Sequence, residues 1–159
     1  LFGGRDVLIN NIAWLLRRLP IFGVFGDGRY RLQPIAVEDL ASLAIEHGCH
    51  RENLTIDAVG PEIFEFEELV RLIGRQIGHP TRTVHLPKSL LMLVARILGR
   101  LVGDVVLTAD EVDGLAADLL VSKEAPTGMT RFSDWLADHA SELGRKYACE
   151  LSRHYHVGT

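Results

Sequence analysis

The first half of the chain alternates between helical and extended patterns of apolar residues. Apolar positions recur at a spacing of three and four from Asp6 to Leu19, which predicts a helix that ends before Pro20. The expected buried face of this helix consists of Leu8, Ile12, Leu15, Leu16 and Leu19.

Shorter segments follow, separated by turn residues. In chain order the pattern predicts a short strand at about Tyr30–Ile35, a helix from Val37 to Gly48, a strand at 53–60 ("NLTIDAVG"), a helix at 65–78 and a strand at 81–87. In the second of these helices, the face expected to point inward consists of Phe66, Leu69, Val70, Ile73 and Ile77. Strands that alternate with helices in this way predict an α/β fold with a small parallel sheet.

The second half is helical. A helix that begins at Pro87 and runs to about residue 102 is apolar on nearly all sides, so we expect it to be buried within the domain. The alternatives are an interface with another part of a longer protein or with a second copy, and contact with a membrane surface. The sequence "TADE", Thr108–Glu111, predicts a capping box that opens a helix to about Leu120. Thr130 is the expected cap of a long final helix that reaches Leu151.

The pattern divides the chain near Gly103 into a mixed αβ portion, residues 1–103, and a helical C-terminal extension, residues 104–159. Of the 159 residues, 47% are hydrophobic and 24% charged, which is typical of a globular protein. The net charge of −4 argues against a nucleic-acid partner. No apolar run reaches the length of about 20 residues that a membrane span requires.

Cysteine and histidine give no sign of a metal site. Cys49 and Cys149 are isolated, match no zinc spacing and are interpreted as reduced thiols of a cytoplasmic protein. His154 and His156 are too few ligands for a structural zinc site, so no metal is expected.

Three segments together resemble the extended and atypical short-chain dehydrogenase/reductases. The segment "RLQPIAVEDLA" resembles the late strand of that superfamily that runs into a Val-x-Asp-Leu-Ala helix. The opening "LFGGRDVLINNIAWLLRRLP" is similar to its Phe-Gly-x-x-Asp loop and following helix, and "IDAVGPEIFEFEELVRLIG" to its Gly-Pro-Glu … Glu-Leu-Val strand and helix. The segments come in the family's order within residues 1–78, and the most similar branch is the NAD-dependent epimerase/dehydratase-like one. That branch includes relatives of the nucleotide-binding accessory subunit of respiratory complex I.

The resemblance implies the helix-rich C-terminal part of a Rossmann-type fold, with NAD or NADP bound by the full-length parent. The chain contains no glycine-rich dinucleotide fingerprint. It also lacks the family's Tyr-x-x-x-Lys pair, since Tyr30, Tyr147 and Tyr155 precede no lysine at that spacing. We therefore expect no cofactor and no activity from this chain alone, and a missing N-terminal Rossmann half as its partner.

The resemblance also indicates candidate site residues. Phe2 and Gly3 would line the nicotinamide end of the cofactor, and Arg5 and Asp6 the substrate cleft. The alternative is an ordinary loop and helix N-terminus, with Asp6 favoured by the helix dipole.

Arg31 and Gln33 are further substrate-binding candidates. Where sugar-nucleotide epimerases carry Arg-Asp-Tyr-Ile-His-Val, this chain has "LQPIAV", which disfavours a nucleotide-sugar substrate. Arg29 and Arg31 are near enough to replace the missing arginine, but the Gly-Asp-Gly turn at 26–28, between two short apolar segments, favours a solvated hairpin instead. Asp39 is expected to accept backbone N–H groups at a helix start.

These features favour a substrate-binding, C-terminal part of an NAD(P)-dependent epimerase/dehydratase-like oxidoreductase. A non-catalytic nucleotide-binding or assembly module of the complex I accessory type is the alternative, and a self-sufficient helical interaction domain at 87–155 is a third. Without the N-terminal half, the small sheet would have an exposed edge and an uncovered apolar face, which predicts self-association of this chain.

Overall fold

The computed structural model describes residues 1–4, 6–49, 51 and 53–149, and shows an α/β fold with short strands. The helices are α1 (Leu8–Leu16), α2 (Val37–Gly48), α3 (Phe66–Gln76), α4 (Lys88–Val102), α5 (Ala109–Ala116) and α6 (Phe132–His139). The strands are β1 (Ile21–Phe25), β2 (Arg31–Leu32), β3 (Phe64–Glu65) and β4 (Arg82–Leu86). The mixed fold and its parallel strands agree with the prediction at the level of a partial Rossmann-like arrangement.

Two small sheets connect the elements. Strands β1 and β4 are parallel neighbours, from Ile21 opposite Arg82 to Phe25 opposite Leu86. Parallel strands require a crossover connection, and here α2 and α3 lie within it. Strand β2 pairs antiparallel with β3, not with β1. The hairpin interpretation of the Gly-Asp-Gly turn is therefore wrong, because the strand after the turn, β2, pairs with β3 and not with β1, the strand before it.

The core lies between α1, α3 and α6. Helix α3 contributes Leu69, Val70 and Ile73, which confirms its predicted inward face. Phe132 of α6 meets Phe2 edge-on at 5.2 Å and Phe64 at 5.6 Å between ring centroids. Buried aromatic rings in such geometry add packing energy beyond the area that they remove from water.

Helix α1 is shorter than predicted and its buried face is shifted. Its residues directed into the core are Ile9, Ile12, Ala13 and Leu16, whereas Leu8 is exposed. Arg17, just after the helix, donates to the carbonyl oxygens of Leu143 at 2.9 Å and Ala140 at 3.0 Å. These two bonds attach the end of α1 to the segment after α6.

The expectation that the apolar helix α4 is buried within the domain is wrong. Only Ala95 and Gly99 of this helix are buried, and Leu101 is 78% exposed. Periodicity shows that a helix is apolar but not what covers it. In the part of the chain described here, the outward side of α4 faces solvent.

The strand predicted at 53–60 does not form. Among the described residues of this segment no ladder of backbone hydrogen bonds appears; the Val59 carbonyl accepts instead from the N–H groups of Thr127 and Gly128. A β-branched, apolar sequence forms a strand only when a partner strand is available.

The last two helices start close to the predicted positions but end earlier. The capping box of Thr108 and Glu111 is present at the start of α5, which ends at Ala116 instead of Leu120. Helix α6 begins after Arg131, not Thr130, and ends at His139. Beyond it Gly144 has φ +70°, and a Cβ there would lie 2.4 Å from the Ala13 carbonyl carbon. The backbone turns at this glycine to pack on α1, so a continuous helix to Leu151, which itself lies outside the described residues, is excluded.

No helix in the described ranges is both long enough and apolar enough to cross a membrane. The division near Gly103 stays a prediction.

Candidate functional site

A short parallel bridge between Phe2 and Ala36 organises the predicted site residues. The Phe2 N–H donates to the Ile35 carbonyl at 3.0 Å, and the Val37 N–H donates to the Phe2 carbonyl at 2.9 Å. The two segments run in the same direction. Gly3 and Asp6, which follow the bridge in the chain, therefore lie at one end of it, and Gln33, which precedes it, lies at the other end. The bridge brings the two predicted segments together but places Asp6 and Gln33 in different clefts.

Phe2 and Gly3, the predicted cofactor-contacting residues, are both buried. The Phe2 ring is 1% exposed and lies against Phe132 and Trp135. A Cβ at position 3 would come within 2.6 Å of Val37 Cγ1, so glycine permits the close approach of the two segments. In this structure the side chain of Phe2 serves packing, and cofactor contact by these residues stays a prediction.

The first cleft, which we call the polar cleft, lies between Gly3, Gly4 and Asp6 on one side and the segment that follows α6 on the other. Its volume is about 530 Å³, and its walls include Asp6, His139, Glu142, Lys146 and Tyr147. The His139 ring stacks on the Trp135 indole at 4.6 Å between centroids, and its Nδ1 lies 2.8 Å from the Trp135 carbonyl oxygen. This cleft thus offers groups of both charges beside a flat aromatic surface.

Asp6 lies where the polar cleft meets the start of α1. Its carboxylate accepts the N–H of Ile9, so it acts as a cap for the helix, as the alternative interpretation expects. Burial raises the pKa of the Asp6 carboxyl above its ordinary value, against the lowering effect of the Ile9 N–H. Arg5, the neighbouring candidate, lies outside the described residues.

Arg31 is bound to Asp118. Its Nη2 and Nε lie 2.9 and 3.1 Å from one carboxylate oxygen, and the Arg31 backbone N–H donates to the other at 2.8 Å. These bonds lower the pKa of the Asp118 carboxyl, and the backbone N–H of Arg31 is the largest cause. A substrate phosphate would have to compete with Asp118 for this guanidinium.

Gln33 lies in the second cleft, which we call the Gln33 cleft, a space of about 410 Å³ bounded by residues 32–35, 57–59 and 119–122. The side chain is 8% exposed, and both ends of its amide have partners. Nε2 donates to the Gly60 carbonyl at 2.9 Å, and Oε1 accepts the Ser122 N–H at 3.1 Å. The amide therefore holds three segments together at the wall of this cleft.

Sequence reasoning missed one polar pair and one polar cluster. In the Gln33 cleft the Ser122 hydroxyl donates to Asp57 at 2.5 Å. Beside β4, Glu67 accepts from Thr83 and Arg71 and lies 3.3 Å from His85 Nε2. The Thr83 hydroxyl is the main cause that lowers the pKa of the Glu67 carboxyl. Only the spacing of Glu67 and Arg71 along α3 was visible in the sequence.

A third space, which we call the apolar pocket, also escaped sequence reasoning. It measures about 370 Å³ and lies between α1, β1, β4, α4 and α5. The signals for it were Leu8 and Leu15 on the side of α1 away from the core, Leu19 just after that helix, and the excess of apolar residues on α4. Among the residues described, no group of three or more histidine, cysteine, aspartate or glutamate side chains is arranged to hold a metal ion.

Comparison with known proteins gives one distant relationship. No protein-family model matches the chain. The chain is 25% identical over 130 residues to the mitochondrial NADH-ubiquinone oxidoreductase 40 kDa subunit of Neurospora crassa. The match covers 80% of this chain but 33% of that subunit, so the chain spans about a third of the length of the curated relative. This supports, at a distant level, the relationship that the three sequence motifs indicate.

Proposed function

We propose that the chain forms the substrate-side, C-terminal part of an NAD(P)-dependent oxidoreductase of the epimerase/dehydratase-like type. The observation that carries the proposal is the bridge between Phe2 and Ala36. It places the Phe-Gly-x-x-Asp segment beside the strand that enters the Val-x-Asp-Leu-Ala helix, and so joins two separate motifs of the resemblance. The parallel β1–β4 pair and its helical crossover add support, because Rossmann-type folds are built from such units.

In this proposal the cofactor is NAD or NADP and is held by an upstream Rossmann half. The similar subunit is about three times as long as the matched region, and a parent of that length has room for such a half. The polar cleft is the candidate position for the substrate, since Gly3 and Asp6 lie at its wall and the Trp135–His139 pair offers a flat surface.

Titration calorimetry with NADH and NADPH tests the proposal. We expect no binding by the 159-residue chain, which lacks a glycine-rich phosphate-binding turn, and saturable binding by a longer protein that includes upstream coding sequence. Micromolar binding by the chain alone would place a nucleotide site among the residues present. A longer protein that binds neither nucleotide would overturn the assignment.

A non-catalytic nucleotide-binding or assembly module is the second candidate. It is favoured by the similarity to a subunit of a larger oxidoreductase and by the exposed apolar side of α4. The two candidates differ in the longer protein: a catalytic parent carries Tyr-x-x-x-Lys upstream and transfers hydride, whereas an assembly module binds nucleotide without turnover. In a catalytic parent, replacement of that tyrosine by phenylalanine should abolish turnover and leave folding and nucleotide binding unchanged. A longer protein that binds nucleotide but shows no turnover without any substitution would identify the assembly module.

A further inference from the structure

The apolar pocket shares no lining residue with the polar cleft, so it is independent of the proposed function. Its walls come from both halves of the chain. Leu15 of α1 and Phe22 of β1 form one side, and Leu91 and Leu98 of α4 form the other, with Leu107 in the segment that follows. Helix α4, whose outer side is exposed, thus lines this half-open space with its inner side.

The lining is nearly devoid of hydrogen-bonding groups. No charged side chain among the described residues lines the pocket, and its two polar side chains are Asn11 and Tyr30. The Asn11 amide is engaged with the backbone of Ala148, through bonds of 2.9 Å at each end. Buried water needs two to four polar partners, so this lining disfavours ordered water and ions.

Tyr30 supplies the remaining polar group in a neutral form. Its ring stacks on Phe66 at 5.1 Å, and burial raises the pKa of its phenol to about 12. A phenol with such a pKa is un-ionised at physiological pH and offers one neutral hydroxyl. The chemistry of the lining therefore matches an uncharged molecule.

The size of the pocket agrees with a small molecule. Its volume of about 370 Å³ lies within the range of roughly 300–1,000 Å³ that small-molecule pockets have, and such pockets are lined mostly by apolar side chains with a few polar groups. A dry cavity of about 150 Å³ lined by Leu, Ile and Phe holds benzene, which scales to a ligand of about a dozen carbon atoms for this pocket.

We propose that the apolar pocket is a binding site for a neutral, apolar small molecule of about a dozen carbon atoms. An alkyl chain and a pair of aromatic rings share this chemistry. Gly23 on β1 keeps part of the space open, since a Cβ there would lie 2.9 Å from Leu86 Cδ1 and 3.4 Å from Leu91 Cδ1.

Two probes test the proposal on the 159-residue chain. N-phenyl-1-naphthylamine, a neutral aromatic dye, gains fluorescence in an apolar site, and 1-decanol is a neutral alkyl competitor. We expect saturable dye binding with one molecule per chain. Displacement of the dye by 1-decanol at micromolar concentration identifies an alkyl site, whereas binding without displacement identifies an aromatic one. Unsaturable binding or no binding contradicts the proposal.

Two matched variants of α4 locate the dye. Leu98→Trp adds bulk to a residue that lines the pocket, and Leu101→Trp makes the same change at a residue outside it. We expect Leu98→Trp to weaken dye binding about tenfold or more and Leu101→Trp to change it by less than about twofold. Equal effects, or a loss with Leu101→Trp alone, would place the dye on the outer side of α4 and overturn the proposal.

Methyl NMR of the unmodified chain gives the same information without a substitution. With 1-decanol, or with the dye if it is not displaced, we expect shift changes in the methyl groups of Leu91, Leu98 and Leu107. Changes confined to Leu93, Ile97 and Leu101 would identify a surface contact instead.

Discussion

The carboxylate of Asp39 accepts the backbone N–H of Thr130 at 2.7 Å and its hydroxyl at 3.1 Å, across 91 residues of sequence. The same carboxylate accepts the Met129 N–H at 2.8 Å. Asp39 lies in the first turn of α2, where a carboxylate is expected to satisfy donors of its own helix. It attaches α2 to the loop before α6 instead.

We predict that Asp39→Ala destabilises the protein by about 1–3 kcal/mol, because three donors lose their acceptor. The free energy of unfolding, measured by urea denaturation, checks this. Glu38→Ala is the control, since Glu38 lies in the same first turn and shares any interaction with the helix dipole. Equal destabilisation by both variants would show that the position in the helix matters and the contact with Thr130 does not.

Asp39 and Asp6 are predicted to have opposite effects on the pH dependence of stability. The N–H of Thr130 is the main cause that holds the pKa of Asp39 below its ordinary 3.8, whereas burial raises the pKa of Asp6 above the same value. The Asp39 contribution is fully present above pH 3.8 and is lost as the pH falls through the lowered folded-state pKa. The Asp6 contribution is fully present below pH 3.8 and is lost as the pH rises through the raised folded-state pKa.

Unfolding free energies of Asp39→Asn and Asp6→Asn, measured from about pH 2 to pH 7, test these signs. The advantage of the wild-type chain over Asp39→Asn should grow with rising pH, and its advantage over Asp6→Asn should shrink. If the stability difference between wild type and variant changed with pH in the same direction for Asp39→Asn and Asp6→Asn, the opposite pKa shifts assigned to the two carboxyls would be contradicted.

Gln33→Ala should cost about 1–3 kcal/mol, because the Gly60 carbonyl and the Ser122 N–H lose their partner near the wall of a cleft. Differential scanning calorimetry measures the loss. Gln33→Glu keeps an acceptor for Ser122 but places a carboxylate against the Gly60 carbonyl, so we expect it to be no better tolerated. Unchanged stability in both variants would leave the side chain free for a substrate, as the sequence-based prediction has it.

Two isoleucines on helices that follow one another in sequence should respond very differently to truncation. Ile73 of α3 is fully buried, and Ile73→Ala should cost about 2–5 kcal/mol through the cavity that it leaves. Ile97 of α4 is 51% exposed, and Ile97→Ala should stay within about 0.5 kcal/mol. Urea denaturation of a dilute sample measures both. A large loss for Ile97→Ala would mean that the outer side of α4 is covered in solution.

Self-association of the chain should depend on the outer side of α4, where Leu93, Ile97 and Leu101 follow one another at helical spacing and are exposed. We expect sedimentation velocity to show association at high concentration and Ile97→Asp to reduce it. Ile45→Asp is the matched control, because Ile45 is the same residue type and is even more exposed than Ile97, but lies on α2. A monomeric wild-type chain, or equal loss in both variants, would contradict this prediction.

The sequence by itself determined features that depend on interactions within a few residues. The capping box of Thr108 and Glu111 joins two residues three positions apart, so the identity of those two residues suffices to predict it. The buried face of α3 follows from a single amphipathic stripe, since Leu69, Val70 and Ile73 have only one side on which to cluster. Strand β4, and α4 to within one residue of its start at Lys88, were predicted for similarly local reasons.

The tertiary structure alone decided whatever needed a partner distant in sequence. Helix α1 has two apolar faces, and only the position of α3 and α6 shows that Ile9 and Ala13 enter the core while Leu8 and Leu15 line the apolar pocket. Residues 53–60 have the composition of a strand, but no strand in the described part of the chain pairs with them. The partners of Asp39 and Gln33 come from loops whose sequence carries no periodic signal. Hydrogen bonds and packing across tens of residues depend on where the chain returns, and no local pattern records that.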